Sequence, residues 1–212
     1  RRPTPFEDTT MNMTALLMTS ALMISSSAAW SAATIGTPAP DATLRDTTGA
    51  VHQISDLQGK TVVLEWTNHD CPFVQKHYGS DNMQRLQREA ATREVVWLTV
   101  ISSAPGEQGH VTPEQADALT VRRNASPSAV ILDEDGSAGR LYDAKTTPHM
   151  FVIDPEGALV YAGGIDSIPS ADPADIPRAV PHLELAMAAT AAGKDVPVAT
   201  SRPYGCSIKY AK

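Results

Sequence analysis

The chain is short of cysteine, of aromatic side chains and of clustered positive charge, and each shortage closes off a class of protein. Two cysteines in 212 residues are too few for a disulfide-built scaffold, so the fold must rest on a buried apolar core. Aromatics make up only 5% of the chain, the formal net charge is −7, and no run of Lys or Arg is dense enough to follow a phosphate backbone. Nucleic acid is therefore not the expected partner. No apolar stretch is long enough to cross a bilayer comfortably, and no internal repeat is visible. What remains is an ordinary soluble composition, 42% hydrophobic and 19% charged, in a length that holds one domain plus an export segment.

The export segment is read from Met11 or Met13 onward. Thr14-Ala-Leu-Leu-Met-Thr-Ser-Ala-Leu-Met-Ile24 is apolar and runs into Ser25-Ser-Ser-Ala-Ala-Trp-Ser-Ala-Ala33, which ends in small residues, the pattern of a secretory signal cleaved near Ala33. Residues 1–33 are thus expected to be a leader, and residues 34–212 the folded domain. Removing the leader leaves the net charge unchanged, because Arg1, Arg2, Glu7 and Asp8 cancel. The processed protein is expected in the periplasm or another exported location, without stable membrane insertion. An oxidising compartment lets the two thiols pair.

Beyond the leader, Thr43 to Arg45 and Val51 to Ile54 flank the turn residues Asp46 to Gly49 and read as a short hairpin. Thr61-Val-Val-Leu-Glu-Trp66 is β-branched and nearly all apolar, as in a strand buried on both faces. After the loop Thr67 to Asp70, Cys71-Pro72 opens a stretch read as one helix to about Ala91. Pro72 suits a first helical turn and Asp70 an N-cap. Val95 to Ile101 is a second buried strand, Pro113 to Arg122 a helix, Ala129 to Asp133 a strand and Ser137 to Tyr142 a short helix. Met150 to Asp154 and Ala158 to Tyr161 form a hairpin around Pro155 to Gly157, and Ala174 to Ala192 reads as one last helix despite Pro177 and Pro181. Strands alternating with helices and ending in a hairpin predict an α/β fold, a central mixed sheet flanked by helices with an N-terminal hairpin extension.

Cys71 carries the chemistry in this reading. A thiol attacks only as its thiolate, and a helix N-terminus favours that anion through its dipole and unpaired N–H groups. His69, two residues upstream, is a candidate to add positive charge or carry a proton, whereas Asp70 opposes the anion unless it caps the helix. From position alone, an inert buried cysteine is an equal alternative.

Val62-Val-Leu-Glu-Trp-Thr-Asn-His-Asp-Cys-Pro-Phe-Val74, with Thr147-Pro148 ahead of Met150 to Gly157, resembles the active-site marks of thioredoxin-like redoxins, in particular the AhpC/TSA, peroxiredoxin-like family. The resemblance covers roughly residues 37–170. It implies a thioredoxin-like fold in which Cys71 attacks, with Pro148 as a cis-proline beside the sulfur offering backbone to an extended partner. No cofactor is implied. Val74 stands where thioredoxins carry their second cysteine. Asn68 stands where peroxiredoxins place a threonine, and Thr147, Pro148 and His149 where they place a peroxide-holding arginine; His69, His149 or Arg140 are the candidate substitutes. The tail Gly205-Cys-Ser-Ile-Lys209 also resembles redoxins of this type and makes Cys206, near Arg202 and Lys209, either the resolving thiol or half of a static bridge.

The implied activity is that of an antioxidant or thiol-exchanging oxidoreductase, with a thiol or disulfide protein as partner and a small peroxide as a further acceptor. Two other readings stand beside it. Cys71 with His69, His77 or His149 offers soft ligands for a copper-binding protein, and the missing cysteine at position 74 suits a redox-inactive interaction module.

Overall fold

The computed structural model describes residues 1–3 and 33–211; the signal segment read from the sequence lies outside the described residues. The chain opens with a hairpin of β1 (Thr43–Arg45) and β2 (Val51–Gln53), followed by a 3-10 turn at Ile54–Leu57. Asp46 makes the reversal: its Oδ1 accepts from the N–H groups of Thr48 (2.9 Å) and Ala50 (3.0 Å), a side chain standing in for backbone in a turn. Then come β3 (Val62–Trp66), α1 (Pro72–Gly79), α2 (Asn82–Thr92) and β4 (Val96–Ile101). α3 (Pro113–Arg122), β5 (Ala129–Leu132), α4 (Ser137–Leu141), β6 (Thr146–Thr147) and β7 (His149–Ile153) follow. The chain closes through β8 (Leu159–Gly163), a 3-10 turn at Pro173–Arg178, α5 (His182–Ala191) and β9 (Cys206–Ser207).

The main sheet has the order β5-β4-β3-β7-β8. Its first three strands are parallel, and β7 joins β3 antiparallel. Every residue of β3 is buried, as its apolar run predicted, because β3 lies mid-sheet with both faces covered. Val63, Trp97, Met150 and Val152 face α1, α2 and α5. On the other side Leu64, Trp66, Leu98 and Phe151 pack against Leu44 of the hairpin and Ala138 and Tyr142 of the α4 region. Three of the few aromatics gather here: the Trp66 ring lies 5.1 Å from Phe151 and 5.6 Å from Tyr142. The Phe151 ring meets Trp66 edge-on and the Tyr142 ring is tilted to it; such aromatic packing adds about 0.5–1.5 kcal/mol per pair beyond the area buried, and it braces the end of β3 from which the Cys71 loop departs.

Two expected helices are broken. The stretch from Cys71 to Ala91 is two helices, because the Ser80 hydroxyl donates to the Lys76 and His77 carbonyls (2.8 and 3.3 Å) and ends α1. Asp81, at φ 59°, then turns the chain; Gly79 and Ser80 are weak helix formers that lower the cost of the stop. The stretch from Ala174 to Ala192 is a 3-10 turn followed by α5. Pro177 and Pro181 lack the N–H a continuous helix needs; Pro177 is held inside the 3-10 turn, and the chain turns extended at Ala179 (φ −80°, ψ 152°) ahead of Pro181.

Candidate active site

The register of β3 against β7 pairs Trp66 with His149. The loop leaving β3 and the segment before β7 therefore meet at one edge of the sheet. Cys71 is the N-cap of α1 (φ −76°, ψ 123°), with Pro72 at the first helical position. This corrects the expectation of Asp70 as cap by one residue: Asn68 Oδ1 accepts from the Asp70 N–H (2.9 Å) and the Asn68 carbonyl from the Cys71 N–H (3.1 Å), a tight turn that leaves the Asp70 carboxylate outside.

The Cys71 side chain is fully buried, and its Sγ lies 3.0 Å from the Thr147 carbonyl, the residue joined to Pro148 by a cis peptide. β9 pairs antiparallel with β6 and sets Cys206 opposite Thr147. Two cysteines 135 residues apart are thereby brought together, with the Cys206 N–H 3.4 Å from Cys71 Sγ. Both are free thiols. Gly205 makes this approach feasible: at φ 140° a Cβ on it would run into the Thr147 carbonyl, so only glycine fits.

The electrostatics separate the two sulfurs. Burial raises the Cys71 thiol, but hydrogen bonds from the Cys206 thiol, the Val74 and Cys206 N–H groups and the Thr147 hydroxyl outweigh it and leave it below the ordinary value. The Thr147 carbonyl, which accepts from the neutral thiol, pulls the other way without reversing the balance. Cys206 is pushed up to about 11, by burial first and then by the hydrogen bond and negative charge of Cys71, with Lys209 opposing. Cys71 is thus the thiol that ionises first, and Cys206 holds the proton beside it.

His69 is placed differently from its sequence neighbour. Its Nε2 lies 3.3 Å from Asp70 Oδ1 and its carbonyl accepts from Gln75 and Arg123; among the described residues no hydrogen bond joins its ring to Cys71. Burial, then the cations Arg123 and Arg122, lower its pKa against the pull of Asp70, which favours the neutral ring. The other candidate helpers are also committed. Arg140 donates to the Asp135 and Ala211 carbonyls and lies over Tyr210, and His149 Nδ1 accepts from the Lys145 N–H. The Asn68 amide donates to the Gln108 carbonyl. Among the described residues no group of three or more His, Cys, Asp or Glu is placed to hold a metal ion, and the His77 ring is taken up by Asn82 and Tyr204.

Two buried polar clusters beneath the site escaped sequence reasoning. Glu65, in mid-β3, accepts from the Tyr78 hydroxyl (2.9 Å), Trp97 Nε1 (2.9 Å) and the Thr99 hydroxyl (3.1 Å). Burial raises its pKa against these donors and against Arg123, whose guanidinium lies 4.5 Å from the Tyr78 ring centre. The second cluster joins Lys76 and His77 of α1 to Asp166 and to Tyr204, two residues before Cys206. A lone Glu inside an apolar run was a legible sign of the first cluster; nothing local marked the second.

The sequence model of the AhpC/TSA family matches residues 35–162, more than half of the chain, and the protein belongs to that family. It is thereby a thiol oxidoreductase in the broad sense. A hypothetical protein of Sinorhizobium meliloti shares the fold at 24% identity and TM-score 0.68, over 85% of this chain and 97% of that one. An uncharacterised conserved protein of Geobacillus kaustophilus does so at 23% identity and TM-score 0.72, over 84% and 93%. A candidate thiol:disulfide interchange protein DsbE of Chlorobium tepidum matches at 24% identity and TM-score 0.50, over 62% and 85%. No curated protein sequence matches the chain. Among the described residues no helix is long and apolar enough to cross a membrane.

Proposed function

We propose that the protein is a two-thiol disulfide oxidoreductase in which Cys71 attacks and Cys206 resolves. The observation that carries this reading is the pairing of Cys206 with Thr147, which holds the second sulfur against the first. In the first step the Cys71 thiolate attacks a disulfide RSSR, forming Cys71–S–S–R and releasing one thiolate. Cys206 then loses its proton and attacks the Cys71 sulfur, which closes the Cys71–Cys206 bridge and expels the second thiolate. Two electrons pass from the protein to the substrate, and an external thiol donor restores the reduced pair.

The charge pattern suits this order. Cys206 is held protonated partly by the negative Cys71; once Cys71 enters a mixed disulfide that charge is gone and Cys206 ionises more readily. Pro148 takes part through Thr147 ahead of it, whose carbonyl meets the Cys71 sulfur and whose backbone pairs with Cys206, while His69 is left to the margin of the loop. A disulfide is preferred to a peroxide as acceptor because Asn68, His149 and Arg140, which stand in or for the peroxide-holding positions, are bonded elsewhere. Residues 34–212 form the working domain in this reading, and the apolar, small-residue end of the 1–33 leader supports export to the periplasm or an equivalent space.

The test uses the reduced protein, oxidised glutathione and hydrogen peroxide in parallel, with peptide mapping by mass spectrometry. The wild type should form an intramolecular Cys71–Cys206 bridge with the disulfide, Cys206→Ser should stop at a Cys71 mixed disulfide, and Cys71→Ser should form neither. Faster bridging by peroxide would move the assignment to a peroxidase. Absence of any adduct on Cys71 would leave the interaction-module reading in its place.

A further inference from the structure

The tail that carries Cys206 is fastened at several points. The Ala162 N–H donates to the Ala199 carbonyl and the Ser201 N–H to the Ala162 carbonyl. Farther on, Ile208 N–H reaches the Lys145 carbonyl and the Tyr210 hydroxyl the Ala144 carbonyl (2.8 Å). Between these, one attachment differs in kind. The Tyr204 hydroxyl donates to Asp166 Oδ1 at 2.5 Å, and the other carboxylate oxygen of Asp166 lies 3.2 Å from Lys76 Nζ. Lys76 has no exposed side-chain surface and Asp166 only 5%. Lys76 also donates to the Ile168 carbonyl and the Tyr204 oxygen (both 3.4 Å), and His77 Nε2 lies 3.3 Å from the same oxygen. The Phe73 ring meets Tyr204 edge-on at 5.8 Å.

Lys76, His77 and Phe73 lie on α1, the helix capped by Cys71, and Tyr204 stands two residues before Cys206. The cluster therefore ties the element that bears one sulfur to the segment that bears the other. A buried ion pair contributes little net stability against an apolar alternative of similar volume, so its distinctive effect here is geometric: a hydroxyl hydrogen-bonded to a charged, buried carboxylate has few other places to go.

We propose that Tyr204, held by the buried Asp166–Lys76 pair, is a positioning residue that latches the C-terminal strand against Thr147 and so sets the effective concentration of Cys206 at Cys71. This rests on the two-thiol reading above. With the latch closed, the tail's freedom is already removed before the bridge forms, and ring closure no longer bears that entropy cost. With it open, the tail keeps its flanking attachments, among them those of Ser201, Ile208 and Tyr210, but the segment next to Cys206 is freed and the same closure must order it.

The experiment equilibrates wild type, Tyr204→Phe and Gly205→Ala with mixtures of reduced and oxidised glutathione and measures the fraction bridged. In parallel, the rate of the first mixed disulfide at Cys71 is followed in a Cys206→Ser background, with and without Tyr204→Phe. Loss of a hydrogen bond to a charged group should lower the closing equilibrium constant about tenfold in Tyr204→Phe. Gly205→Ala, which acts at Thr147 and not at the cluster, should lower it as well. The first step should be unchanged or faster, since an unlatched tail uncovers Cys71; a general loss of structure would not split the two steps in this way. If the wild type bridges and Tyr204→Phe closes as readily, the latch is overturned and the two-thiol cycle stands. If the wild type forms no bridge, the cycle itself falls and the latch with it.

Discussion

Glu65 and Asp166 are both buried carboxyl groups near α1, and they are built in opposite ways. Glu65 is ringed by neutral donors, Tyr78, Trp97 and Thr99, from elements of the scaffold itself, and burial raises its pKa. Asp166 faces the Lys76 ammonium directly and takes a hydroxyl from the C-terminal tail. Next to it, burial and the Lys76 cation lower His77 to about 4 against the pull of Asp166, so that ring is neutral at pH 7 and the charge in the cluster is that of the pair. Carboxyl groups of one chemistry thus serve two purposes: one gathers neutral donors within a rigid sheet, while the other pairs with a cation and a tail hydroxyl to bind distant segments of chain together.

The largest effect that would sharpen this contrast is expected from Asp166→Ala. It leaves the Lys76 ammonium buried without its counter-charge, which should cost about 3–5 kcal/mol in urea unfolding. The double variant Lys76→Met with Asp166→Leu should regain most of that loss, because it removes both charges at once. If the single variant is as stable as wild type, the pair is not the charged unit described.

A smaller effect, with a distinct pH signature, is expected from Glu65→Gln. A carboxyl whose folded pKa is raised stabilises the fold fully below its unfolded value, and that contribution is lost as pH rises through the folded pKa. Against the pH-independent glutamine, the wild type should therefore lose relative stability as pH climbs above the ordinary 4.5. The loss should approach about 1.4 kcal/mol for each unit of upward shift. Denaturant midpoints of both proteins between pH 4 and 8 decide the matter, and a constant gap would mean that Glu65 titrates in the fold as it does when unfolded.

The smallest effect belongs to an exposed pair on the same helical face of the molecule. Arg85 Nη2 lies 2.6 Å from Glu184, with both side chains more than a third exposed. Glu184→Gln should shift stability by no more than about 0.5 kcal/mol, and less at high salt, since solvent screens such pairs. A loss comparable to that of Asp166→Ala would remove burial as the basis of the comparison.

Much of the site's framework was legible from short-range pattern. The apolar run of β3, the switch to a proline-led helix at Cys71 and the Thr147-Pro148 step ahead of β7 rest on signals a few residues long. The break at Ser80 and Asp81 was hidden because it depends on a hydroxyl turning back onto the Lys76 and His77 carbonyls, a choice that a helical pattern does not display. Cys206 could be named as a partner for Cys71 because the chain has just two cysteines, and as a resolving thiol only by resemblance, since no local feature states which strand edge a tail will join. Lys76, Asp166 and Tyr204 were not found at all: they meet across 90 and 128 residues, and each by itself looks like a surface side chain.

The sequence by itself determined where Cys71 sits on the chain, since a buried strand followed by Cys-Pro sets a thiol at a helix N-terminus through local backbone preference. Only the tertiary structure decided what that thiol meets. Antiparallel pairing of Cys206 with Thr147, the approach allowed by Gly205 and the buried ion pair behind Tyr204 all arise from contacts between distant segments. Their energies depend on desolvation and on register, and neither is encoded in the neighbours of any one residue.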